Sequence, residues 1–119
     1  MTTKPFIRPA GCTDAIVLLV SLYCGIKVPA ILSDSRKRSV QHARMLAQFL
    51  VYTCTALSTT EVADHFDLDH STVVNNIKTV RKTAEADTGL ASAIATLTER
   101  ARLQFDSVAR TSNHQIAEK

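Results

Sequence analysis

Three residues, Asp67-Leu68-Asp69, separate two stretches of helical apolar spacing, a connection too short for anything except a tight turn between crossed helices. Ahead of the turn, Ser58-Thr59-Thr60-Glu61 has the form of a capping box, in which the serine oxygen and the glutamate carboxylate satisfy free amides at a helix start. A short helix over about Thr59 to Phe66 follows from it. Behind the turn, Asp69 stands at an N-cap position. Val73, Ile77, Val80 and Ala84 then recur on one helical face, while Ser71, Asn75, Lys78 and Lys82 fall on the opposite one. Small Ala63 falls where the helices would cross, and Val62, Phe66, Leu68, Val73 and Ile77 point inward. This is the layout of a helix-turn-helix over about residues 59–86. Short helical pairs also occur in many proteins that never touch DNA, so the layout alone assigns no function.

The remaining segments supply a support. Thr13 offers an N-cap to a helix carrying Ile16, Val17, Val20 and Cys24, and Gly25 sits where a left-handed closing residue is wanted. Pro29, followed by Ile31 and Leu32, predicts a short second helix that ends in Ser33-Asp34-Ser35. From about Arg36 to Leu57, the positions Val40, Ala43, Ala47, Leu50, Cys54 and Leu57 alternate spacings of three and four, which marks a long central strut. Met45, Leu46, Phe49 and Val51 widen its apolar surface, leaving Lys37, Gln41, Arg44 and Gln48 as an outward polar stripe. Asp87 and Gly89 are placed to close the helix after the turn, and Leu90, Ile94, Leu97, Ala101, Phe105 and Val108 mark a final amphipathic helix.

These readings predict an all-α, compact bundle of about five to six helices over residues 13–110. A flexible arm over 1–12 contains Pro5, Pro9 and Gly11, and a frayed tail covers 111–119. A chain of 119 residues accommodates one core and leaves little room for a second. Its longest apolar run, Ala15 to Val20, is far short of the ~20 residues that cross a bilayer. With no charged-then-apolar leader, the expectation is a cytoplasmic protein without a membrane partner. Cys12, Cys24 and Cys54 are odd in number and lack a C-x-x-C pair, so a reducing compartment fits and buried packing is expected for Cys24 and Cys54.

The net charge of +3 does not announce nucleic acid, but its distribution bears on function. Arg36, Lys37, Arg38 and Arg44 form one cluster and Lys78, Arg81 and Lys82 a second. A solvated helix face has the same composition. The start of the helix after the turn is more telling, because His70, Ser71 and Thr72 are small reading groups that hydrogen-bond base edges or pack on a thymine methyl in a major groove. Free amides there suit phosphate oxygens, and Lys78, Arg81 and Lys82 would neutralise backbone charge. Ordinary first-turn capping also explains Ser71 and Thr72.

Asp69-His70-Ser71-Thr72-Val73 resembles the D-H-[ST]-T-V motif of the bacterial replication initiator DnaA, in its C-terminal DNA-binding domain. Tyr23-Cys24-Gly25-Ile26-Lys27-Val28, Leu32, Ser35-Arg36-Lys37-Arg38-Ser39-Val40, Ala43-Arg44, Ala47 and Leu50 resemble the same domain in the same order, so the likeness spans roughly Asp14 to Ala86. It implies a Trp-repressor-like helical fold and double-stranded DNA as partner. It also implies that Arg38, in a basic loop, reaches the minor groove, that Arg44 anchors phosphate, that Asp69, His70, Ser71 and Thr72 contact bases or flanking backbone in the major groove, and that Asn75 also faces DNA. The family reads short asymmetric boxes as a single domain, which implies a monomer on DNA and not an obligate dimer. Two departures stand out. The family's glycines and arginine after the conserved phenylalanine are replaced by the shorter Asp67-Leu68, and Met45 stands where a polar contact residue is frequent.

The family's ATP-binding loop ends in Gly-Lys-Ser/Thr, whereas Gly11, Gly25 and Gly89 are the glycines here and none precedes lysine. The expectation is therefore a reader without ATPase, cofactor or metal, which occupies boxes in replication control or transcription. His42, His65, His70 and His114 form no H-x-x-x-H pair, and no nucleophile turn is present, so no enzyme is expected. The rival reading is a protein-interaction module acting on a replication initiator or its regulators. It would use the helix from Leu90 to Val108 as a docking or dimer face, unless that helix covers its own bundle.

Overall fold

The computed structural model describes the backbone of residues 11–55 and 57–117, and the side chains of 13–55 and 57–103. Six helices follow one another: α1 (Gly11–Cys24), α2 (Val28–Ile31), α3 (Arg38–Cys54), α4 (Thr59–Phe66), α5 (His70–Ala86) and α6 (Thr88–Ala117). Among the described residues there is no strand, as an apolar pattern of period 3.6 with few glycines and prolines requires. The expected N-terminal arm falls on residues 1–10, outside the described residues, and on the first two residues of α1.

The central strut is α3, which touches every other helix. Its Ala43, Leu46, Ala47, Leu50 and Val51 meet Ile16, Val17 and Val20 of α1, Val62 and Phe66 of α4, Val73 and Ile77 of α5, and Leu97 and Ala101 of α6 in one continuous core. The strut is shorter than its apolar pattern. It stops at Cys54 because Thr55 turns extended, with its buried hydroxyl donating to the Val51 carbonyl at 2.6 Å and accepting the Leu57 amide at 3.2 Å. A threonine that satisfies the backbone locally competes with another helical turn.

Helix boundaries correct two expectations, and exposure a third. Thr13 does not cap α1: it lies inside the helix, 1% exposed, and its hydroxyl has no hydrogen-bond partner among the described residues. Gly25, at φ 72°, closes α1 as expected, with its own amide and that of Ile26 both bonding the Ser21 carbonyl. Gly89 does not close α5 but sits in the first turn of α6; Asp87 alone makes that junction, its carboxylate accepting the Leu90 amide at 3.1 Å. Cys54 is buried as expected, but Cys24 is exposed at the end of α1, where partial desolvation still pushes its thiol above the ordinary value. A raised thiol is a poor nucleophile.

Helix α6 packs on α1, α3 and α5, and buries Ala93, Leu97 and Ala101. Its helical backbone runs to Ala117, past Arg110, while the side chains of Phe105 and Val108 lie outside the described residues. The apolar side of α6 through Ala101 therefore covers its own bundle, which removes most of the face that a docking role would need.

Candidate nucleic-acid interface

The α4–α5 pair forms as its sequence dictates. Ser58 Oγ accepts the Glu61 amide at 3.2 Å and Glu61 Oε1 accepts the Ser58 amide at 2.8 Å, completing the capping box. The turn then relies on Asp67, which adopts φ 57° and ψ 49° and lets the Leu68 amide reach back to the Ala63 carbonyl at 2.9 Å. A left-handed residue is what makes so short a turn possible, and aspartate tolerates that conformation better than most non-glycines. Asp69 occupies the N-cap position of α5, but its side chain makes no capping hydrogen bond; the carboxylate stays exposed at the helix start.

Helix α5 buries Val73, Ile77 and Val80, and turns Ser71, Asn75, Lys78 and Lys82 outward together with His70 and Thr72. The His70 ring is held: its Nε2 lies 2.7 Å from Thr59 Oγ1, joining the first residue of α5 to the first of α4. His65 points elsewhere, with Nε2 3.6 Å from an Asp14 oxygen and its ring edge-on to Phe66, so the two histidines share no site. Among the described residues no three His, Cys, Asp or Glu side chains group as a metal site, and no helix is long and apolar enough to cross a membrane.

The second part of the surface is the strap between α2 and α3. Ser33 Oγ donates to the Ala30 carbonyl at 2.6 Å and accepts the Ser35 amide, while Ser35 Oγ accepts the Lys37 amide. Arg44 reaches up from α3 to tie the strap down, with Nε donating to the Ile31 carbonyl at 2.9 Å and Nη2 to the Ser35 carbonyl at 3.1 Å. The outward stripe is thus corrected. Lys37 and Gln41 are exposed, but Arg44 is 8% exposed and Gln48 fully buried, its Oε1 accepting Asn76 Nδ2 at 2.8 Å. Burial pushes the Arg44 guanidinium down from its ordinary value and nearby Asp34 opposes that shift; an arginine keeps its proton through such changes.

Helical periodicity missed these two side chains because a long polar residue counts as outward in a pattern, whatever loop or helix is folded over it. It also missed Thr59, a first-turn residue with no apolar or charged signal. Arg38 does not lie in a loop: it is the first residue of α3, with Lys37 at the N-cap, and Arg36 is the arginine left in the strap.

Strap and turn face each other across a cleft of about 610 Å³. Asp34, Ser35 and Arg36 line one side, Asp67, Leu68, Thr72 and Asn76 the other, and Arg44 and Met45 lie between. Arg36, Lys37, Arg38, Lys78 and Lys82 are exposed, and none of the five has an acidic partner within salt-bridge distance among the described residues. Arg81, by contrast, lies over the Phe49 ring, 5.6 Å from its centroid.

Two crossed helices on a central strut, with a polar second-helix N-terminus and cations on both flanks, define a helix-turn-helix domain in an all-α bundle. The bacterial dnaA protein helix-turn-helix family matches residues 13–80, more than half of the chain, and the chain belongs to that family. The chromosomal replication initiator protein DnaA of Bacteroides fragilis is 36% identical over 80 residues, 66% of this chain and 17% of the relative. That of Neisseria meningitidis serogroup B is 35% identical over 79 residues, 66% of this chain and 15% of the relative. A crystal structure of a DNA replication initiation factor matches with a TM-score of 0.70 at 29% identity, over 76% of this chain and 28% of that one. The chain therefore spans 15% to 17% of the length of these two curated relatives.

Proposed function

We propose that this domain binds double-stranded DNA sequence-specifically, with the amino end of α5 in the major groove and the strap on the neighbouring backbone and minor groove. One observation carries the reading: Asp69, His70, Ser71, Thr72 and Asn75 are exposed together at the start of α5, flanked by the exposed cations of the strap and of Lys78 and Lys82. Helix N-terminal amides and these cations suit phosphates, while hydroxyl, amide and imidazole groups suit base edges. Arg36 and Arg38, both exposed, would enter a minor groove. Arg44 acts mainly by holding the strap, and reaches phosphate only through what its two carbonyl bonds leave free.

The sites would be short asymmetric boxes like those of the replication initiators it resembles, occupied by a single domain to control replication initiation or transcription. A replication initiator competing for the same boxes is the protein partner this reading implies. No step of it requires a cofactor or metal.

Selection of bound fragments from random duplex DNA at fixed salt tests the proposal. The expected outcome is one enriched box, bound with an affinity whose logarithm falls with log salt by ~0.9 per phosphate neutralised. Replacing His70 or Thr72 by alanine should cost on the order of 1 to 3 kcal/mol on that box and less on random duplex. Equal enrichment of all sequences would defeat the reading.

A further inference from the structure

The contact between Thr59 and His70 reaches past the general reading. We infer that Thr59 is a specificity-positioning residue, which occupies Nε2 of His70 and presents Nδ1 alone, as a donor, to the DNA. The inference rests on the proposed binding mode of α5 and adds to it the orientation and proton placement of one reading group.

A neutral imidazole has one donor and one acceptor nitrogen, and the hydrogen bond made by one of them decides the character of the other. Here Nε2 is engaged at 2.7 Å by a hydroxyl that can donate or accept. A duplex offers mostly acceptors to a helix N-terminus: phosphate oxygens, guanine N7 and O6, adenine N7 and thymine O4. The arrangement that meets them places the ring proton on Nδ1 and has the Thr59 hydroxyl donate to Nε2. Thr59 is free for this task because the α4 start is already capped by Ser58 and Glu61. An exposed histidine without such a tether would sample several rotamers and both tautomers, and would lose freedom on binding. The tether also fixes the two helix starts to each other, so the ring is referred to α4 as well as to its own helix.

Thr59→Val removes the hydroxyl while keeping the shape, and Thr59→Ser restores it. Each is compared with the unmodified chain by random-duplex selection, by titration on the selected box and on random duplex, and by the nitrogen-15 shifts of the His70 ring. The unmodified chain and Thr59→Ser should show the Nδ1–H form and the same box. Thr59→Val should lose roughly 2- to 12-fold on the box, the cost of ordering an untethered side chain, with a smaller loss on random duplex and a small fall in melting temperature from the lost tether. Its His70 shifts should move toward a mixture of the two forms. A box bound equally well by Thr59→Val, or an Nε2–H ring in the unmodified chain, would overturn this inference and leave the binding mode standing. Failure of the unmodified chain to select any box would overturn both.

Discussion

The two walls of the cleft are built in opposite ways. The strap has almost no regular structure and is held from beneath by a buried charge, Arg44, which binds the carbonyl that leads into it and one within it. The α4–α5 turn is regular helix on either side of one left-handed aspartate, and its reading side chain is held from above by a surface hydroxyl. The strap's position therefore depends on a deep side chain it does not contain, while the turn is set by its own residues. The strap should accordingly be sensitive to core changes in α3, and the turn to changes at the surface.

Leu50→Ala should do the most damage, because it removes the shared platform. Leu50 is 2% exposed one turn before the end of α3, and the loss should be about 2 to 5 kcal/mol in urea unfolding, with both walls affected together. Arg44→Ala should separate them. It leaves the Ile31 and Ser35 carbonyls without their donors, at a cost of about 1 to 3 kcal/mol. Amide exchange should quicken in residues 32–37 and stay slow in α5, and affinity should fall on all duplexes alike while box preference remains. An equal rise in exchange at both walls would break the comparison.

Arg38→Ala acts on the strap's charge without its shape. It should weaken binding to every duplex and reduce the slope of affinity against salt by ~0.9 if the side chain neutralises one phosphate. Helical content should not change, since a cation in the first turn of α3 opposes the helix dipole and its removal is worth a few tenths of a kcal/mol at most. The smallest effect is expected at Asp67. Asp67→Gly should stabilise the turn by about 0.5 to 1 kcal/mol by relieving its positive φ, as read by thermal melting. Asp67→Asn should leave stability near that of the unmodified chain but, like glycine, raise affinity by removing a negative charge from the cleft wall.

Much of the turn was legible because its signals are local. The capping box of Ser58 and Glu61, the small Ala63 and the Val73, Ile77, Val80 face each report on atoms within a few residues, and the structure agrees with all of them. The strap was legible only as a cluster of cations. That Arg44 belongs beneath it, and that Arg38 starts a helix, depend on where α2 and α3 lie in space. Asp67 itself takes the left-handed conformation, which is how so short a connection still closes.

From the order of its residues alone, this chain was bound to form about five to six helices, a helix-turn-helix near its centre and a polar start to α5, because period, caps and turn chemistry act over distances of one or two turns. Tertiary structure decided the rest. It buried Arg44 and Gln48, joined Thr59 to His70 and set the strap opposite Thr72, because desolvation and side-chain hydrogen bonding are settled by what packs alongside, and the partners in these hydrogen bonds stand 9 to 28 positions apart in the chain.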